Sequence, residues 1–148
     1  MSTDERVTKD LIKTLEDGKE GFAKATEQLA ETDRADLCDR FREMSSRRAA
    51  MADELQALAA AYGDDIDEEG SLAGVVHRGW MAVKDAFSGS DAQSVLEAAE
   101  QGEDHAVAEF QRALDRDISD GLRTVVQRQY TEVSAAHDWV RNQRNASV

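Results

Sequence analysis

The sequence predicts an all-α fold, a bundle of four long helices with one shorter helix between the second and the third. Three observations predict it. Apolar residues recur at alternating intervals of three and four along most of the chain, the period of helices that bury one face. There is no proline and only 5% aromatic residues, in a composition that favours helix. The breaks between periodic stretches are short, apart from one of about 28 residues over 62–89.

The first helix is expected over about 4–31, with the stripe Val7, Leu11, Leu15, Gly18, Phe22, Ala25 and Leu29. Ser2 or Thr3 can cap it, and Asp4 and Glu5 suit its first turn, where the helix dipole favours anions. Residues 32–34 form a short break. Asp33 is a natural N-cap for a second helix over about 34–61, which Gly63 stops. So short a link makes the first two helices an antiparallel hairpin.

The second stripe is Leu37, Phe41, Met44, Arg48, Met51, Leu55, Leu58 and Tyr62. An acidic loop follows over 64–70. Ser71 then caps a shorter amphipathic helix over about 72–87, and Gly89 closes it. Ser90 with Gln93 reads as a capping box for the third helix, about 91–117. Its stripe is Val95, Leu96, Ala99, Gly102/Glu103, Ala106, Phe110, Ala113 and Leu114. Ser119 caps the fourth helix, about 120–145, which carries Leu122, Val125, Val126, Gln129, Glu132/Val133, Ala136, Trp139 and Val140. The link between these two is also tight, giving a second antiparallel hairpin.

The 148 residues are enough for a single domain, 1–148, with a core. A helix of about 27 residues is roughly 40 Å long. A connection containing its own helix can span that distance, so one long crossover is expected. This is the ferritin-like arrangement, in contrast to up-down-up-down.

The charge balance narrows the function classes. Eighteen basic side chains stand against 31 acidic ones, a formal net of −13. That balance speaks against nucleic acid and anionic lipid as partners. Cys38 is the single cysteine, so neither an internal disulfide nor a thiolate zinc cluster can form. It reads as a small packing residue. The first residues lack the apolar core of a signal peptide, and no apolar run approaches the roughly 20 residues of a membrane span. A soluble cytoplasmic protein is expected.

Arg48 is the unusual member of its stripe. A guanidinium in an apolar seam is costly unless charges and hydrogen bonds meet it. Aligning the helix midpoints places Gly18 and Gly21, Arg48, Gly102 and Glu103, and Gln129 and Glu132 at one level. Glycine inside a helix costs about 1 kcal/mol relative to alanine, and these glycines are expected to make room for the arginine. The expected buried polar layer is Arg48, Glu103, Gln129, Glu132 and Asp17. The carboxylates compensate the cation, and Gln129 offers it an amide oxygen.

A di-metal carboxylate centre is the competing reading of the same level. Such a site takes Glu-x-x-His pairs, because residues three apart share a helix face. The histidines are His77, His105 and His137, and three residues before them stand Gly74, Gly102 and Ser134. Arg48 would also repel a dication beside it. Glu100, Glu103, Glu132 and His137 remain the fallback ligands, with Asp104 crowding the same stretch. No catalytic residue and no cofactor are expected.

Other motifs read blandly. Asp65-x-Asp67-x-Glu69-Gly70 echoes a calcium loop, but the twelfth position is Val76 in place of Glu. His77-Arg78-Gly79-Trp80 lies on the crossover helix, where Trp80 with Val76 and Val83 covers the bundle or offers a partner surface. No nucleophile–base pairing and no phosphate loop can be read.

The chain resembles a bacterial family known as domain of unknown function 2383, described as ferritin-like four-helix-bundle proteins. The likeness runs from about Leu11 to Arg144. It rests on Leu15-Glu16-Asp17-Gly18 with Gly21-Phe22, on Arg48 with Glu54-Leu55, and on His77-Arg78-Gly79-Trp80. Glu100-Gln101-Gly102-Glu103-Asp104, Gln127-Arg128-Gln129-Tyr130, Glu132-Val133 and Ala136-His137-Asp138 complete it. The resemblance implies the fold, marks Arg48 and Glu103 as family features, and implies no activity. The expected function is that of a non-enzymatic bundle acting through association, as a homodimer, with a protein partner or as a stress-related accessory. The alternative is a di-metal oxidoreductase or a metal-storage protein.

Overall fold

The structure, a computed structural model, describes residues 2–61 and 91–146. These residues form four long helices, α1 (Thr3–Leu29), α2 (Cys38–Ala61), α3 (Ala92–Leu114) and α4 (Asp120–Ala146), and a 3-10 turn, Ala35–Leu37, that leads into α2. No strand occurs among the described residues, and no helix there is long and apolar enough to cross a membrane. The expected acidic loop and the crossover helix at 72–87, with Trp80, fall outside them.

Capping side chains set the helix ends. Ser2 caps α1, its hydroxyl accepting from the Glu5 amide at 3.1 Å. The end of α1 lies two residues earlier than expected, because the Thr32 amide and hydroxyl both donate to the Leu29 carbonyl, at 3.0 and 2.8 Å. Asp33 does not cap α2. The 3-10 turn intervenes, and its N-cap, Arg34, makes no capping hydrogen bond with its side chain. Asp91 caps α3, its carboxylate accepting from the Gln93 amide at 3.1 Å, and the expected cap Ser90 lies outside the described residues. The third helix stops at Leu114, short of 117. Arg123 on α4 donates to the Leu114 and Arg116 carbonyls at 2.8 and 2.9 Å, satisfying groups that a longer helix would have used itself.

α1 packs against α2 and α3, while α4 packs against α3 and more loosely against α2. α2 and α3 are therefore diagonal neighbours. Ser119, before α4, donates from its amide and hydroxyl to the Asp4 carboxylate at 2.9 and 2.6 Å, tying the start of α1 to the α3–α4 link. Arg34 reaches Gln143 at 3.1 Å at the other end. These ties make α1 antiparallel to α2 and α3, and make α2 parallel to α3. The last residues of α2 and the first of α3 consequently lie at opposite ends of the bundle.

The core is divided. One apolar cluster gathers Phe22, Leu29, Phe41, Met44, Val95, Leu96 and Val140 at the end where α3 begins. Phe22 and Phe41 meet edge to face at 5.4 Å, and Trp139 joins Phe41 at 5.9 Å. The second cluster gathers Leu11, Leu15, Met51, Leu55, Phe110, Leu122 and Val126 at the other end. Asp17 and Gly18 on α1, Arg48 on α2, and Gly102 and Glu103 on α3 stand between the two, all buried.

Candidate functional site

Arg48 and Glu103 form the centre of this division. Arg48 lies between Met44 and Met51, a turn from each, so helical periodicity turns it into the core. Its side chain is 2% exposed and that of Glu103 is 0% exposed. The guanidinium donates through Nη1 to Oε1 at 2.8 Å and through Nη2 to Oε2 at 2.5 Å. This two-pronged pairing satisfies both carboxylate oxygens across the bundle diagonal.

The glycine on α1 is fitted to this pair. A Cβ on Gly18 would lie 2.9 Å from Arg48 Nη1, closer than a side-chain carbon packs, and would touch its Cγ at 3.4 Å. The guanidinium also stands 5.1 Å from the centre of the Phe22 ring, in cation–π range. Ser45, on the α2 face toward α1, donates to the Lys19 carbonyl at 2.8 Å and fixes the two helices beside the arginine.

Asp17 is the second buried carboxyl in the layer, 4% exposed. Burial, with the negative charges of Glu20 and Glu103, pushes its pKa from the ordinary 3.8 up to about 7. Near neutral pH it therefore carries a proton much of the time, while Glu103 answers the guanidinium.

Gln129 and Glu132 depart from the expected layer. Gln129 is buried, but its Nε2 donates to the Met51 carbonyl and to Glu54 Oε1, both at 3.0 Å. It lies one turn beyond Arg48 and supplies donors to α2, where an acceptor had been expected; its Oε1 is enclosed without a hydrogen-bond partner among the described residues. Glu132 meets Arg47 instead of Arg48. Arg47 Nε and Nη2 donate to its two oxygens at 2.8 and 2.9 Å on the bundle surface. The reason is rotational, because α4 turns Val133 inward and leaves Glu132 half-exposed beside it. Its hydrogen bond to Arg47 lowers its pKa, against a smaller opposing effect of burial.

The four fallback metal ligands do not converge. Glu103 is held by Arg48 and Glu132 by Arg47. Glu100 and His137 do share a face of the bundle, and their companion there is Asp104. His137 Nε2 lies 2.5 Å from Asp104 Oδ1, and its Nδ1 lies 3.2 Å from Asp138 Oδ1. Burial of the ring opposes its protonation, but the hydrogen bonds to Asp138 and Asp104 and their charges outweigh that effect, and the pKa rises.

Comparison with known families agrees with the resemblance in the sequence. The family model described as Domain of unknown function (DUF2383) matches residues 5–116. The chain belongs to that family. No curated protein matches it. The family match takes in α1, α2 and α3, and thus Asp17, Gly18, Arg48 and Glu103. Gln129, Glu132 and His137 on α4 lie beyond the matched residues.

Sequence reasoning missed Arg47 and Arg144 as partners. Arg47 stands beside Arg48, and only the rotation of α2 separates a surface arginine from a core one. Arg144 reaches Glu100, its Nε 2.6 Å from Oε1. The spacing of Glu100 and Asp104, four residues apart, was a usable signal, since it places both on one helix face. That His137 meets them depends on the pairing of α3 with α4.

Proposed function

We propose that this member of the DUF2383 family is a cytoplasmic ferritin-like bundle that acts by association and not by catalysis. Its centre is closed by an arginine–glutamate pair. The helix directions support the ferritin-like reading, with α2 and α3 parallel and their joined ends at opposite poles. The observation that carries the functional reading is the enclosure of the Arg48–Glu103 pair, with Gly18 fitted against it. A guanidinium there uses the carboxylate a central metal pair would need, and its charge repels a dication. A buried ion pair of this kind sets helix register. The strong acidity directs association toward proteins, a second copy of the chain included, and away from nucleic acid and anionic membranes.

Anaerobic titration of chelator-treated protein with ferrous iron tests this reading, with bound iron counted after desalting. The expected result is that no pair of ions is retained at the centre. Two irons per chain, lost in Glu103→Gln, would overturn it.

A further inference from the structure

On the α3–α4 face, away from the central layer, three ligand groups converge. Glu100 and Asp104 are one turn apart on α3, and His137 faces them from α4. One oxygen from each carboxylate and one ring nitrogen all lie within 4.8 Å of one another, the single such group among the described residues. The imidazole is oriented from behind. Asp138 Oδ1 stands 3.2 Å from Nδ1, so that nitrogen can keep its proton while Nε2 points at Asp104. A carboxylate behind one nitrogen fixes the tautomer that offers the other to a metal.

Glu100 adds an independent sign. Its Oε1 is enclosed by protein and accepts no hydrogen bond. Arg144 Nε approaches to 2.6 Å and is likewise without a hydrogen bond. The two form a close ion pair, so a positively charged group already stands against this oxygen. A cation held against a carboxylate whose side chain is only 15% exposed marks this seam as one that draws positive charge.

We propose that Glu100, Asp104 and His137 form a site for one divalent transition ion of zinc-like character. The mixed nitrogen and oxygen donor set favours such an ion over calcium or magnesium, which take oxygen ligands. Asp104 is 62% exposed, so the site is open on its solvent side and water completes the coordination shell. Binding displaces the proton shared between His137 and its carboxylate neighbours and moves Arg144 off Glu100. Arg144 lies in the last turn of α4, where a side chain can swing into solvent. The guanidinium therefore acts as a built-in competitor for the ion.

Zinc titration of the chelator-treated full chain by calorimetry tests the proposal, with nitrogen NMR of the histidine rings as a second readout. One zinc per chain should bind saturably, and the His137 ring nitrogens should shift on binding. His137→Ala should weaken binding roughly ten-fold or more, the range for loss of a group that tunes a metal site. Arg144→Gln should tighten binding several-fold, the opposite direction from damage to the fold. Binding no tighter than millimolar, a response confined to the other histidine rings, or equal affinity in wild type and Arg144→Gln would overturn the assignment. Zinc binding here is separate from the central layer, whose test reads ions dependent on Glu103.

Discussion

Arg47 and Arg48 are consecutive residues of α2, and each grips a glutamate with two hydrogen bonds. The Arg47–Glu132 pair joins α2 to α4 with side chains 49% and 40% exposed. The Arg48–Glu103 pair joins α2 to α3 across the bundle diagonal and is sealed from solvent. The bonding geometry is nearly the same, so the difference lies in the surroundings. Water screens the outer pair and re-solvates either partner if the other is lost. The inner pair has no such reserve, and losing one member strands the other charge between two apolar clusters. Both pairs are two-pronged, and it is burial that separates them.

Removing one inner partner should have the largest effect. Glu103→Ala should destabilise the fold by about 3–5 kcal/mol, the cost of leaving a buried charge unpaired. Arg48→Met should cost less, because a carboxyl stranded in an apolar setting can become neutral by taking up a proton, whereas a stranded guanidinium stays charged. Urea unfolding of the two variants checks this order.

Asp17 contributes a pH dependence opposite in sense to that of the outer pair. Its pKa in the folded chain is about 7 against an ordinary 3.8, so the folded state binds this proton more tightly than the unfolded state. Its contribution is fully present below about pH 3.8, falls as the pH rises toward 7, and is level above that, a change of up to about 4 kcal/mol. Glu132 and Glu54, whose pKa values are lowered, act in the opposite sense, losing their stabilisation as the pH falls through the acid range. The readout is therefore the difference between wild type and Asp17→Asn across pH 4 to 8, a range spanning about one unit beyond the shifted pKa. The advantage of wild type over the variant should shrink as the pH rises.

Gly18→Ala sharpens the account of how the arginine is housed. Alanine gains about 1 kcal/mol of helix propensity over glycine, but its Cβ would crowd a guanidinium pinned by two bonds. A net loss of about 1–2 kcal/mol is expected once overpacking is included. The same change in an Arg48→Met background should be neutral or stabilising. The smallest effect belongs to the outer pair. Glu132→Ala should cost about 0–1 kcal/mol, and that cost should fade as salt is raised.

Much of this arrangement was legible in the chain. The buried faces of α1 and α3 follow their stripes almost residue by residue, because three-and-four spacing on a helix leaves little freedom in which side turns inward. Arg48 stood out as a cation in an apolar seam, and equal helix lengths placed Glu103 and Gly18 at its height. The α4 partners were less legible. Gln129 and Glu132 differ by three positions, and a modest rotation decides which is enclosed and which meets Arg47. Caps also resisted reading, since Asp33, Ser90 and Asp91 are all competent and the selection of Asp91 for α3 depends on local backbone geometry. The cluster at His137 required knowing which helix faces α3, a fact of pairing that no local pattern carries.

The central claim is that Arg48 and Glu103 act as one buried unit holding the bundle in register. The most direct measurement is a double-mutant cycle in urea unfolding with Arg48→Met, Glu103→Met and the two combined. The account predicts a coupling of about 2 kcal/mol or more, with the double variant more stable than Glu103→Met alone. Additive losses, or a Glu103→Met variant no less stable than Arg48→Met, would contradict it.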